Sequence, residues 1–133
     1  MATTTATLTI SSADLTSNPL AITTSSTLYK AGTTIGLEQT TGLSKKVYAT
    51  AQSNTILISA GDYADDTHSR VYIRNSGSSS TAFFTVTIAS GNSVIGRLYG
   101  GDFLFIPYEG EENIKISSST TNMELEFMVI NEG

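Results

Sequence analysis

Alternation with a period of two restricts this chain more than any other feature. In MELEFMVI, Met123, Leu125, Phe127 and Val129 share one face, while Glu124 and Glu126 share the other, which ends in Met128 and Ile130. In TAFFTVTIA, Phe84, Val86 and Ile88 alternate with Thr85 and Thr87. RVYIRN sets Val71 and Ile73 against Arg70, Tyr72 and Arg74, and NIKIS sets Ile114 and Ile116 against Lys115. Successive side chains on a strand point to opposite faces, so this pattern describes half-buried antiparallel strands rich in β-branched and aromatic residues. No window of eleven residues keeps a helical period. The best helical start is a single 3₁₀ turn after Ser11 and Ser12, in SSADL.

Turn signals fall where the strands should end: NSGSSS at 75–80, SGN at 90–92, YGGD at 99–102 and YEGEEN at 108–113. From residue 70 onward strands therefore arrive at short, regular spacing, as in a meander or sandwich. The first 60 residues are Thr-, Ser- and Ala-rich, with Asp14, Lys30, Glu38, Lys45 and Lys46 as their only charges. Strand alternation survives there in TATLTI, PLAITT, KKVYATA and NTILIS, whereas residues 23–43 read as two weak strands or an extended arm. Neither half has enough strands for a stable sheet alone, which argues for one domain. The expectation is a single all-β domain over 1–133, an antiparallel β-sandwich or barrel-like fold that allows a jelly roll, with 1–22 as an extended N-terminal arm or edge strand. Few Lys or Pro residues guard the early strands, so neighbouring subunits are expected to cover their edges.

Composition removes several classes of function. Charged residues are 14% of the chain, against about 25% in an average soluble domain, and roughly three residues in ten are Ser or Thr. The seven basic residues form no stripe, so binding driven by phosphate neutralisation is not expected and nucleic acid is not a partner. Without cysteine there are no disulfides or thiolate metal ligands. The N-terminal MATTTATLTI lacks the pattern of a secretory signal, and no apolar run is long enough to span a membrane. A soluble protein is expected, acting where it is made or leaving by lysis or assembly.

Chemistry has few places to reside. A phosphate-binding glycine loop needs a strand before it and a helix after it. Gly100 and Gly101 are followed instead by DFLFIPY, a strand, and so read as a hairpin turn. Glu109, Glu111 and Glu112 surround Gly110 in one turn and cannot straddle a sugar as a hydrolase pair must. No metal or other cofactor is assigned. The only candidate cation ligands are Asp62, Asp65, Asp66 and His68 in GDYADDTH, whose spacing is not that of an EF-hand. His68 is the sole histidine, so spacing selects no catalytic base and nucleophile, and the chain reads as non-enzymatic. Tyr29, Tyr48, Tyr63, Tyr72, Tyr99 and Tyr108 are scattered over different strands. A carbohydrate-binding module would need several of them on one concave face.

The segments VYIRN, IGRLYGGDFLFIPYEG and ELEFMVI, within Arg70 to Ile130, resemble small structural virion proteins of tailed bacteriophages, notably cyanophage-like ones. The resemblance covers slightly under half of the chain and rests on architectural segments, so no residue roles carry over. It implies a virion component, synthesised in the host cytoplasm and carried on the capsid surface. The role implied is that of a decoration or cement protein bound to the major capsid protein, as a dimer or trimer, or else a knob or fibre-base element. Residues Ala2 to Ile22, so poor in charge, are the first choice for the contact. A carbohydrate- or host-surface-binding β-sandwich of a fibre or tail is the alternative.

Overall fold

The computed structural model describes residues 3–37, 39–63 and 69–131. Eleven strands follow in order: β1 (Thr5–Ser12), β2 (Leu20–Thr27), β3 (Gln39–Thr40), β4 (Ser44–Tyr48), β5 (Thr55–Ile58), β6 (Ser69–Asn75), β7 (Phe83–Ile88), β8 (Ser93–Tyr99), β9 (Phe103–Tyr108), β10 (Ile114–Ser118) and β11 (Met123–Asn131). Among the described residues there is no helix. At SSADL the Ser12 hydroxyl instead accepts the Leu15 amide at 3.1 Å, closing a local turn in the β1–β2 loop.

Strands β4 to β11 form one long two-stranded ribbon. Its halves pair as β7 with β8, β6 with β9, β5 with β10 and β4 with β11, all antiparallel. Folding that ribbon places β5-β10-β7-β8 in one sheet and β11-β6-β9 in the other, with β3 and β4 end to end along the outer edge of β11. Counted from β4, the first, eighth, third and sixth strands make one sheet, and the second, seventh, fourth and fifth make the other. This is the jelly-roll order, an all-β sandwich built from two sheets.

The ribbon stays hydrogen-bonded where it bends from one sheet to the other. At the first corner Gln52 N–H donates to the Ser118 hydroxyl at 2.7 Å and Ser118 N–H to the Gln52 carbonyl at 3.1 Å. At the second, Gly61 N–H donates to the Gly110 carbonyl at 3.0 Å and Ala60 N–H to the Asn113 side chain at 2.6 Å. At the third, Gly100 N–H donates to the Ser79 carbonyl at 3.0 Å, and Asn75 and Asp102 are joined by a 3.0 Å backbone bond.

That third corner corrects the hairpin reading of YGGD. β8 pairs with β7 and β9 with β6, so Gly100 and Gly101 carry the chain between sheets and do not join two paired strands. The two glycines serve different needs. Gly101 has φ +89°, the left-handed region, in a turn closed by the Asp102 amide on the Tyr99 carbonyl at 2.9 Å. A Cβ on Gly100 would lie 2.6 Å from the Ser79 carbonyl oxygen, so here the absent side chain lets the two ribbon halves touch.

The core lies between the sheets. Phe84, Val86, Ile114 and Ile116 from one meet Val71, Ile73, Leu125 and Val129 from the other, all fully buried. Each belongs to an alternating set named by the sequence. Polar Thr87 is buried too, where β7 and β8 shift register after Val86, and its hydroxyl has no hydrogen-bond partner among the described residues.

Residues 1–22 were expected as an arm or edge strand. The structure extends that segment to residue 27 and folds it back on itself. β1 and β2 pair with each other from Thr5–Thr27 to Ser12–Leu20, forming a separate two-stranded sheet.

Candidate contact surface

The β1–β2 hairpin has two unlike faces, a direct result of its register. Ala6, Leu8, Ile10 and Ser12 lie opposite Ser26, Thr24, Ile22 and Leu20, which gives a row with four aliphatic side chains larger than alanine. The other face holds Thr5, Thr7, Thr9 and Ser11 opposite Thr27, Ser25, Thr23 and Ala21, hydroxyls almost throughout. Thr7 and Ser25 hydroxyls bond across that face at 2.9 Å. Asp14 in the connecting loop is the only charged residue before Lys30.

The hairpin is rooted at one end only. Leu28 N–H donates to the Thr4 carbonyl at 2.8 Å, and Leu37 N–H donates to the Leu28 carbonyl at 3.1 Å. Leu28 and Leu37 are almost completely buried. Farther out cover is lost: Leu8, Ile10 and Ile22 are 42%, 44% and 45% exposed. Among the described residues no further strand pairs with either outer edge of the hairpin.

Beneath the hairpin lies the outer face of the β11-β6-β9 sheet, which is divided by register into two parts. One part is charged: Arg74 and Glu126 are 3.6 Å apart, Lys45 and Glu124 3.8 Å, and the Tyr72 hydroxyl donates to Glu126 at 3.0 Å. Burial, then this bond to a carboxylate, pushes the Tyr72 phenol above its ordinary value. The other is an apolar row: Met128, Tyr72 and Phe105 are in register across three strands, flanked on one side by Phe103, which lies opposite Arg74, and on the other by Ile130, which lies opposite Arg70. Phe103 is 57% exposed and Phe105 39%, while Leu104 and Ile106 of the same strand turn inward against the core. The sequence placed apolar residues on both sides of this strand, and among the described residues none packs tightly on the second side.

Between the hairpin and this sheet runs an open groove of about 590 Å³, lined by Ala6, Leu8, Thr24, Tyr72, Phe103 and Phe105 among others. It is continuous in composition with a second hollow of about 430 Å³ at the root, bounded by Leu28, Leu43, Met128 and Ile130. Tyr72 and Phe105 line both. Their walls are hydrocarbon and hydroxyl, so they suit contact with another surface more than acid–base chemistry.

The other sequence candidates are dispersed. Asp62 is exposed just after β5, and Asp65, Asp66 and His68 lie outside the described residues. Among the described residues no three His, Asp or Glu side chains gather as a metal centre would require. Glu109, Glu111 and Glu112 sit on the exposed rim of a ribbon corner, where the Tyr108 hydroxyl donates to the Glu112 carbonyl at 2.7 Å. The tyrosines do not share a face. Tyr48 packs edge-on against Phe84, Tyr63 against Tyr108, and Tyr99 lies beside Phe83 on the opposite sheet, with Arg97 4.3 Å over the Phe83 ring.

Sequence reasoning missed the division of the outer face, which depends on which strand lies beside β11. It also read TATLTI and PLAITT as strands without pairing them with each other. The signal for that pairing was their matching alternation on either side of a Ser-Asn-Pro turn. Compared with family models, curated protein sequences and solved structures, the chain matches none.

Proposed function

We infer that this chain is a non-enzymatic structural protein of a phage particle, a decoration or cement protein on the outer surface of the head. The observation that carries this reading is a hairpin charged only at Asp14 and standing off a jelly roll, with an aliphatic row on one face and hydroxyls on the other. An isolated two-stranded hairpin is marginal in water, so such an element gains stability when a neighbouring surface covers it. Its hydroxyl face and unpaired edges offer hydrogen bonds to main-chain-rich surface between major capsid subunits, and binding there holds those subunits together. The jelly roll occurs in viral capsid and lectin domains alike, so fold alone does not choose between shell and sugar. Dispersal of the tyrosines favours the shell over the alternative, a carbohydrate-binding module of a fibre or tail.

Co-sedimentation with capsid shells tests the reading. The full chain is expected to pellet with shells, to raise their resistance to heat, and to lose both effects when residues 2–22 are deleted. Undiminished binding by the deletion variant would remove the hairpin from the contact. A positive glycan array without shell binding would replace the reading with the sugar-binding one.

A further inference from the structure

The hairpin and the sheet beneath it meet as two apolar leaves joined along one end. Leu28 is the join: its N–H donates to the Thr4 carbonyl at 2.8 Å and its carbonyl accepts the Leu37 amide at 3.1 Å, with both leucines buried. The aliphatic side of the hairpin is the side turned to the sheet, since Ala6 is half-buried while Thr5 and Thr7 beside it are exposed. Open space between the leaves is larger farther from the join. It is about 430 Å³ around Leu28 and Met128 and about 590 Å³ between Leu8 and the Phe103 and Phe105 rings. The sheet wall there is two phenyl rings and Tyr72, whose one O–H is already donated to Glu126. Apolar surfaces facing each other across water attract, roughly in proportion to the area from which water is expelled.

We propose that the hairpin is a strap that closes on its own sheet: it pivots at Thr4 and Leu28, seats Leu8 on Phe103 and Phe105, and keeps its hydroxyl face outward. The tether selects this occupant. The hairpin already stands over the groove, and a segment held by a short connection meets its site at an effective concentration of roughly millimolar, above that of a free partner at micromolar concentration. Closure strands no charge. Ala6, Leu8, Thr24 and Ser26 are uncharged, and Arg74, opposite Phe103 in register, already lies 3.6 Å from Glu126. An isolated two-stranded hairpin is marginal in water, so the layer beneath is what keeps β1 and β2 paired in the free chain. Ile10 and Ile22 line neither hollow and stay at the free tip. The strap is therefore compatible with the proposed decoration role without depending on it.

Amide hydrogen exchange of the dilute full chain, without shells, tests the strap. Phe103→Ser changes an exposed side chain outside the hairpin, yet it should speed exchange of the paired β1 and β2 amides at least ten-fold. Leu8→Ser should do the same, and the amides of β7 and β10 in the opposite sheet should keep their protection under both. The chain has no cysteine, so Leu8→Cys combined with Phe103→Cys or with Phe105→Cys introduces a single pair of thiols. A disulfide needs Cα atoms within about 7 Å, and closure should let at least one pair oxidise within the chain. Hairpin exchange that ignores Phe103→Ser overturns the strap, as does failure of both thiol pairs to join within one chain. Cross-linking between chains alone overturns it too, and puts a second copy in the groove. Shell binding by a chain that fails these tests leaves the decoration reading standing. A strap that closes on a chain indifferent to shells does the reverse.

Discussion

The hairpin and the jelly roll are built from the same kind of residue pattern and reach opposite ends of burial. In β7 and β10 the alternate residues Phe84, Val86, Ile114 and Ile116 are sealed between two sheets. In β1 and β2 Leu8 borders only an open groove, and the alternate residues Ile10 and Ile22 meet no second layer among the described residues. Alternation fixes which side chains share a face, and whether that face is buried depends on a second sheet to cover it. The jelly roll supplies one by folding its ribbon over. The hairpin, joined at its root alone, meets the sheet beneath it only across an open groove.

That contrast has a thermodynamic consequence that can break it. Phe84→Ala removes a ring that is 0% exposed and touches Tyr48 across the core, and is expected to cost about 3–5 kcal/mol. Ile10→Ala on the dilute protein should cost under about 0.5 kcal/mol, as for most exposed positions. Urea unfolding of both variants decides the matter. Comparable losses would mean that the hairpin is an integral part of the folded body.

A smaller effect separates the two glycines of the ribbon corner. Gly100→Ala drives a methyl against the Ser79 backbone at 2.6 Å, where no flexible side chain can give way, and is expected to cost about 1–3 kcal/mol. Gly101→Ala meets no atom within 4 Å and suffers only from φ +89°, for about 1 kcal/mol. The opposite ranking by thermal melting would show that turn conformation, and not close approach of the ribbon halves, governs the corner.

Much of this was legible in the sequence, for a definite reason. The inward sets of β6, β7, β10 and β11 follow from a period of two, which needs no knowledge of the partner strand. Pairing was less legible. Two strands separated by Gly100-Gly101 have the spacing of a hairpin, and only the long-range pairing of β6 with β9 reveals that they belong to different sheets. The contact surface was legible by halves. Apolar residues on both sides of Phe103–Ile106 showed a second apolar face, but the neighbouring Met128 and Tyr72 lie 23 and 33 residues from Phe105 in sequence. The two strands of the hairpin showed in TATLTI and PLAITT, but their pairing escaped because Thr and Ser strands carry a weak signal for which face meets which. Of the cation candidates in GDYADDTH, the structure describes Asp62 alone among Asp62, Asp65, Asp66 and His68.

The finest distinction between hairpin and body is available at Tyr72, which belongs to the body but lines both hollows beneath the hairpin. Burial raises the phenols of Tyr48 and Tyr63 as well as that of Tyr72, so the folded chain holds these protons more tightly than the unfolded one. Their contribution is therefore complete below the unfolded value of about 10, and is lost as pH rises through the folded values. Stability should be flat across neutral pH with respect to these groups and fall on the alkaline side. Tyr72→Phe should reduce that alkaline loss and, by removing the bond to Glu126, cost about 1 kcal/mol at neutral pH. Residue-resolved NMR titration adds the decisive comparison. Deleting residues 2–22 uncovers Tyr72 and should move its titration down toward the ordinary value, while Tyr48 and Tyr63, held within the jelly roll, keep theirs. If Tyr72 does not move, the sheet and Glu126 alone set its environment, and the hairpin shields nothing on the face it overlies.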